Sequence, residues 1–435
     1  MRIISTNKTT ILLNAVWLFL VAVLFSGCYN SMKQTGAKIN TTKTFYSYQK
    51  EAPKLNYKLK VYHSSNEKSK LYYQISTNSL AYNLNTDNSY NAFVKISYRL
   101  LNSSGNFLDS LTFTLNDKSN KTNNNSTLTG NVELNTTYGN TYFLEVKIKD
   151  LNQNTELVSL LSIDKSNGLT RENFLLKHKN NSISFSNYVG STDTLLLEYN
   201  QKQNVKQLFV KYYNRDFQLP PPPFVLTNNK SFDYKPDSTF TLKLNAKNEA
   251  KFVFPKKGFY QIEVDSTSKT GYTIFRFNDD FPILSNGNDL LPPTRFITTR
   301  QEYEDMNLNN NKKEAIENFW IKNTGNKDKA KSALLAYYNR VEKANLYFTS
   351  YVDGWRTERG IVYLIFGAPN SIFKQSESET WLYGEEGNYR STSFTFVKVL
   401  NPFTDNDYQL NRSEIYKEEW YRFVDAWRMG KIINE

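Results

Sequence analysis

The stretch "DGWRTERGIVYLIFGAPN", residues 353–370, decides how the last third of this chain is read. It holds a Trp, four charges, six consecutive apolar residues and a Gly-Ala-Pro turn. Gly354 and Trp355 read as a corner. Glycine is needed there because a side chain would collide or because φ is positive. Trp355 brings a large area to bury and one N–H that needs an acceptor. Thr357 or Glu358 supplies a bond that fixes the corner. Arg359 suits a bidentate carboxylate pair, and Glu379 is the natural candidate. The run Ile361 to Phe366 reads as a strand buried on both faces, stopped by Gly367, Ala368 and Pro369. The expectation is a helix-to-strand corner that anchors a core, with no active site.

Helical periodicity precedes this stretch. In "KDKAKSALLAYYNRVEKANLYFTS", Ala330, Leu334, Tyr337, Val341, Ala344 and Phe348 recur at spacings of three and four, one face of a helix. Short strands follow in "ETWLYG" and "TSFTFVKVL". A final amphipathic segment carries Ile415, Trp420, Phe423, Val424 and Trp427 as a stripe. Residues 316–435 thus read as an α+β domain. Trp320, Trp355, Trp381, Trp420 and Trp427 all fall within it, as an aromatic core requires. Residues 281–315 read as a packed linker. Asp279, Asp280, Asn288 and Asp289 crowd there, but their spacing is not that of an EF-hand, and turn chemistry accounts for them.

Residues 45–280 alternate apolar and polar positions, the pattern of half-buried strands. "GNTYFLEVKIKD", residues 139–150, puts Tyr142, Leu144, Val146 and Ile148 on one face. "KGFYQIEVDS", residues 257–266, repeats the form with Tyr260, Ile262 and Val264. Two such echoes predict two immunoglobulin-like β-sandwiches, 45–165 and 175–280. Residues 120–131 read as a polar hairpin loop. Pro220 to Pro223 lack donors and cannot sit in a central strand. They read as a rigid loop, with a ligand for a proline-recognising domain as the alternative.

The N-terminus has Arg2 and Lys8, then an apolar run over residues 11–25, then "FSGC". That run has the length of a signal-peptide core and is short of a membrane span. Ser26 and Gly27 before Cys28 look like the lipobox of bacterial lipoproteins, with Phe25 in place of the usual Leu. The resemblance implies a signal peptide over residues 1–27, cleavage before Cys28, lipid on its sulfur, and acylation of the new N-terminus. Residues 28–44 then read as a flexible tether without acids. The lack of an acidic cluster after Cys28 leans towards the periplasmic leaflet of an outer membrane over the cell surface. Cys28 is the only cysteine, so no internal disulfide is available and the fold rests on its packed core.

The net charge is +12. A basic surface suits anionic headgroups or an acidic partner, although the abundance of Asn and Lys throughout is also a matter of composition. Nucleic acid does not fit an exported protein. Residues 316–435 contain neither His nor Cys. The histidines are His63 and His178, both in the β region. A Ser–His or Cys–His nucleophile is therefore excluded there, as is a His-based zinc site. Carboxylates remain: Glu358, Glu377, Glu379, Glu385 and Glu386. Two of them about 5–9 Å apart would serve as a glycosidase-like pair.

From about residue 295 to 435 the chain resembles the GWxTD-domain family of Bacteroidota lipoproteins. The motif stands as Gly354, Trp355, Arg356, Thr357 and Glu358, with Glu in place of the final Asp. It continues through Arg359, Gly360, the apolar run, and Gly367 to Pro369. Glu379, Trp381 and Tyr383 follow as a Glu-x-Trp-x-Tyr, and "YYNRVEKANLYF" resembles the family helix. The resemblance implies a lipoprotein with preceding sandwiches and no established reaction. The expectation is a non-catalytic outer-membrane lipoprotein, an accessory subunit of an envelope machine for secretion or barrel assembly. It would have no cofactor beyond the lipid, and its partners would be membrane lipid and other outer-membrane or periplasmic proteins. The alternative is a glycan-binding or glycan-processing lipoprotein, prompted by 29 Phe, 6 Trp and 30 Tyr.

Overall fold

The strands expected in the first half form two pairs of antiparallel sheets. The computed structural model describes residues 55–120, 126–200, 205–227, 232–375 and 377–433. The first pair is built from β1 (Tyr57–His63), β2 (Lys68–Ser76), β3 (Asn83–Leu84), β4 (Tyr90–Asn102), β5 (Phe107–Ser119), β6 (Thr127–Asn135), β7 (Asn140–Asp150) and β8 (Thr155–Lys165). One sheet runs β1-β2-β6. The other runs β3-β4-β7-β8, with β5 also paired to β4. Alternation sends every second side chain inward, so Leu71, Ile75, Val94, Ile96, Leu144 and Ile148 share one core. Part of the polar stretch read as a hairpin loop is strand. From Thr127 it forms β6, which pairs with β2 and buries Leu134.

The second pair uses β9 (Phe174–His178), β10 (Leu195–Tyr199), β11 (Gln207–Tyr213), β12 (Ser238–Lys243), β13 (Glu249–Phe252), β14 (Gly258–Glu263) and β15 (Tyr272–Arg276). Its sheets are β13-β10-β9 and β12-β11-β14-β15. Alternation predicts one buried face on β14. The structure buries Tyr260 and Ile262 as expected, but Phe259, Gln261 and Glu263 on the opposite face are buried too. The cause is tertiary. Phe259 joins Tyr213, Phe275 and Phe403 in a second aromatic cluster, and Phe403 belongs to the C-terminal region. A face that a lone sandwich would leave wet is covered.

That region holds α1 (Gly287–Leu290), α2 (Arg300–Leu308), α3 (Lys312–Thr324), α4 (Lys327–Phe348) and α5 (Glu358–Phe366). It continues through β16 (Ser371–Lys374), β17 (Ser378–Tyr383), β18 (Thr392–Lys398) and β19 (Tyr408–Leu410) to α6 (Lys417–Arg428). The stretch 281–315, read as a linker, is largely helical. Thr299 and Glu302 close a capping box at the start of α2, satisfying two orphan donors reciprocally. Leu291, Phe296, Ile297 and Met306 join the same core as the Trp residues, so the segment is part of this region.

The main correction lies in the deciding stretch. Ile361 to Phe366 is not a strand but the body of helix α5. A short apolar run fits a buried strand and a buried helix equally well by pattern. Here Thr357 caps the helix, its Oγ1 accepting from the Gly360 N–H at 3.0 Å, and Gly367 ends it at φ +80°. Every residue from Arg359 to Phe366 is buried. A helix enclosed on all sides has no polar stripe to show its period. The corner therefore joins helix to helix. The sheet β16-β17-β18-β19 contributes Trp381, Phe394 and Phe396 to the same core as α5. On the final segment Trp420, Phe423 and Trp427 are buried, whereas Ile415 is 77% exposed. It lies in the 3-10 turn before α6, off the helical stripe. No helix among the described residues is long and apolar enough to cross a membrane.

Candidate functional site

The corner is built by close approach. A Cβ on Gly354 would lie 1.9 Å from the carbonyl oxygen of Ala344 on α4. Collision, not a positive φ, is what requires glycine. A Cβ on Gly360 would lie 1.9 Å from the Gly354 carbonyl, so the first turn of α5 rests on the corner itself. Thr357 Oγ1 donates to that carbonyl at 2.7 Å while capping α5. Trp355 is buried and meets Phe296 edge-on at 6.3 Å. Its backbone N–H donates to Asn345 Oδ1 at 3.4 Å, and Asn345 Nδ2 donates to the Pro282 carbonyl at 3.0 Å. At the far end of α5, a Cβ on Gly367 would press on the Arg340 guanidinium at 2.9 Å. Pro369 is partly buried just beyond.

Two charged clusters grow from this corner. In the first, Arg359 Nη1 meets Glu379 Oε2 at 3.2 Å, and both side chains are buried. The pair expected from the sequence is present, but it is not bidentate. Arg359 Nη2 turns instead to Asn406, donating to its backbone oxygen at 3.0 Å and to its side chain. The other Glu379 oxygen accepts from Trp381 Nε1 at 2.6 Å. The guanidinium lies 3.9 Å from the Tyr408 ring centroid, a cation–π contact that needs no water. Lys374 Nζ stands 3.8 Å from Glu379. Burial pushes its pKa down and Glu379 opposes that. Asn406 Nδ2 donates to the Tyr347 and Thr349 carbonyls at 3.1 and 2.9 Å. One guanidinium thus ties together α4, α5, β17 and the β18–β19 loop.

The second cluster reaches outside the helical core. Glu358 accepts two bonds from Arg412 Nη2, at 2.7 and 2.6 Å. Arg412 Nη1 donates to the carbonyls of Pro221, Pro222 and Val225 at 3.0, 2.7 and 3.2 Å. Prolines bring no N–H donors of their own, so the carbonyls of the run look to outside donors, although Pro222 also accepts from the Val225 N–H at 3.0 Å. The proline run is therefore a docked loop. Arg356 donates to the Phe217 carbonyl on the same loop. Burial raises the Glu358 pKa, and Arg412 opposes the rise. Sequence reading missed Arg412. The signal available was the proline run itself, a row of acceptors in need of a cation.

Further contacts join the three parts. Arg171, between the sandwiches, pairs with Asp405 at 2.8 Å. Beside it, burial pushes the Glu172 carboxyl up to about 7. Both line a cleft of about 400 Å³, together with Asp164, Lys269 and Lys398. Of the remaining candidate carboxylates, Glu377, Glu385 and Glu386 are exposed. His63 is buried in the first sandwich, 2.8 Å from Ser69 Oγ and 2.9 Å from the Asp164 carbonyl. Among the described residues, no group of three His, Cys, Asp or Glu side chains is placed to hold a metal. Cys28, the lipidation candidate, lies outside the described residues, as do residues 1–27 and 28–44.

Residues 258–429 match the family model of the GWxTD domain. The chain carries a GWxTD domain. The match begins at β14, well before the resemblance at about residue 295, and so includes β14 and β15. These strands lend Phe259 and Phe275 to the cluster that Phe403 closes. No curated protein matches the chain. Among solved structures it is similar to a β-glucuronidase of Bacteroides uniformis, at 13% identity over 25% of this chain and 13% of that one, with a TM-score of 0.18. It is also similar to red sea bream transglutaminase, at 8% identity over 52% and 32%, with a TM-score of 0.19. The chain thus spans less than a third of the length of either.

Proposed function

We propose that this protein is a non-catalytic, lipid-anchored accessory subunit of an outer-membrane machine for secretion or barrel assembly, held by Cys28 in the periplasmic leaflet. It carries two sandwiches of the immunoglobulin-like kind and a GWxTD domain as one rigid arm. One observation supports the reading above the others. Glu358 of the motif is bound by Arg412, which also holds the Pro221, Pro222 and Val225 carbonyls of the second sandwich. The motif's charges are engaged in joining parts, as expected of a framework that presents surfaces. An acid–base pair needs one carboxyl free to protonate a leaving group, whereas Glu358 and Glu379 each face a guanidinium.

The test is purification of tagged protein from its own outer membranes in gentle detergent, with mass spectrometry of stoichiometric companions and of the lipid on Cys28. A fixed set of envelope proteins is expected. A clean monomer that binds or cleaves envelope glycans would favour the glycan reading instead. Glu358→Gln with Glu379→Gln separates the two by another route. The subunit reading expects lower stability, and the glycan reading expects lost activity at unchanged stability.

A further inference from the structure

The larger sheet of the first sandwich is tied down at one edge and open at the other. At the β8 edge, Tyr57 Oη of β1 meets Ser159 Oγ at 2.8 Å, and His63 of β1 lies 2.9 Å from the Asp164 carbonyl. The opposite edge is β5. Among the described residues it pairs with β4 alone, so its other side offers a row of backbone donors and acceptors. Natural sheets blunt such an edge with short strands, lysines, prolines or bulges. Strand β5 runs for 13 residues, and its register shift lies at the Phe107 end. Ser110 to Asn116 contains no charge, proline or glycine. Leu111, Phe113 and Leu115 face inward, paired with Tyr98, Ile96 and Val94. Yet Leu111 is 43% exposed and the other two are half-buried. One more strand would cover them.

The edge spells out the strand that fits it. Residues 109–117 read "DSLTFTLND", which is its own reverse about Phe113 except that Ser110 answers Asn116. We infer that β5 pairs with β5 of a second copy of this chain, antiparallel about a two-fold axis at Phe113. Leu111 then opposes Leu115, Thr112 opposes Thr114, and Phe113 opposes its own counterpart. Aliphatic and aromatic pairs lie on the inner face and hydroxyl pairs on the outer, combinations that stabilise a ladder. A two-fold contact requires a self-complementary surface of this kind, and it closes after one step because each copy's β5 edge is then covered. The exception is Asp109 opposite Asp117, like charges that cost affinity. Each already accepts a bond within its own copy, Asp109 from Asn135 Nδ2 at 2.8 Å and Asp117 from the Tyr82 hydroxyl at 2.5 Å. Strand addition draws its affinity from main-chain hydrogen bonds more than from area. Nine opposed residues make about nine such bonds, close to the total for a standard interface. The buried area is smaller than standard, which makes the dimer a reversible one.

Sedimentation equilibrium of the full-length chain in gentle detergent tests this, on wild type and two variants. Ser110 and Asn116 are exposed and oppose each other across the axis, so each change there acts twice. Ser110→Glu with Asn116→Glu sets like charges face to face and should weaken the dimer about tenfold or more. Ser110→Glu with Asn116→Lys makes the same positions attract, and that variant should dimerise at least as tightly as wild type. Both should melt at the wild-type temperature, as surface changes do. A wild type that stays monomeric at every concentration overturns the inference. A dimer that both variants weaken equally overturns it too, and so does one that the doubly acidic variant leaves undisturbed, since its contact then lies elsewhere. A photo-cross-linking residue at Thr112, in the chain's own membranes, is expected to link to a second copy. Linkage to a different protein alone overturns the choice of partner. A monomer that still co-purifies with a fixed set of envelope proteins overturns the dimer while leaving the subunit reading intact.

Discussion

A methyl group on residue 354 would sit 1.9 Å from the Ala344 carbonyl oxygen, and backbone cannot yield as a flexible side chain does. Gly354→Ala is expected to cost about 3 kcal/mol or more, read as a lower denaturant midpoint. Gly168→Ala is the control. Its nearest neighbour is the Tyr199 hydroxyl at 3.6 Å, so its midpoint should move little. Glu379 is the second decisive residue. Glu379→Gln leaves the Arg359 guanidinium buried without its carboxylate, a loss of about 3–5 kcal/mol. Adding Arg359→Met should recover part of that loss, since the stranded charge leaves with it. A double-mutant cycle in denaturant measures the coupling, and additive losses would deny the pair its role. The Arg359–Glu379 pair could be read from the sequence because each charge stands just before an apolar stretch, Ile361 to Phe366 and Trp381 to Tyr383, and a charge drawn into a core needs a partner. Its geometry could not, because Asn406 competes for the same guanidinium from a loop with no pattern.

At the scale of elements, alternation served the sandwiches and failed at α5. Strands with one dry face announce a period of two, and Leu144, Val146 and Ile148 are buried as that period requires. Helix α5 is dry all round, so its period is silent, and β-branched Ile361, Val362 and Ile365 argue locally for a strand. The cues that remained were at its ends, Thr357 before it and Gly367 after it. If Thr357 selects helix, then Thr357→Ala should cost about 1 kcal/mol and Thr357→Ser almost nothing, in thermal melts followed by circular dichroism. Equal effects from both changes would move the role from the hydroxyl to the methyl group. The double burial of β14 was hidden for a related reason. On its second face Phe259 packs against Phe403, about 140 residues downstream, while Gln261 and Glu263 meet Lys269 and Lys211 of their own sandwich, and no local pattern reports such neighbours.

At the scale of the whole molecule the parts are joined by a few polar contacts that can be loosened one at a time. Arg412→Ala removes the donor shared by the Pro221, Pro222 and Val225 carbonyls and strands Glu358. Faster hydrogen exchange is expected across residues 217–227, with β4 and β7 unchanged; uniform acceleration would mean global unfolding instead. The junction between sandwiches adds a dependence on pH. Glu172 faces Arg171, Asp405 and Asp164, in a cleft that Lys269 and Lys398 also line. Burial raises its pKa to about 7 from an ordinary 4.5. Between those values the folded chain keeps a proton that the unfolded chain has released, so stability falls as pH rises and levels off above pH 7. Lys60 on β1 donates to the Ser184 carbonyl and the Tyr272 hydroxyl of the second sandwich, at 2.8 and 2.9 Å. Burial lowers its pKa to about 7. Between pH 7 and its ordinary 10.5 the unfolded chain holds the extra proton, so there stability rises with pH. The two slopes meet in a minimum near pH 7. Burial raises Glu263 to about 7 as well, so Glu172→Gln should lessen the decline on the acid side without abolishing it and leave the alkaline side unchanged, whereas Lys60→Met should lessen only the alkaline rise. Melting temperatures from pH 5 to 9 decide the matter, and a wild-type maximum near pH 7 would exclude both assignments.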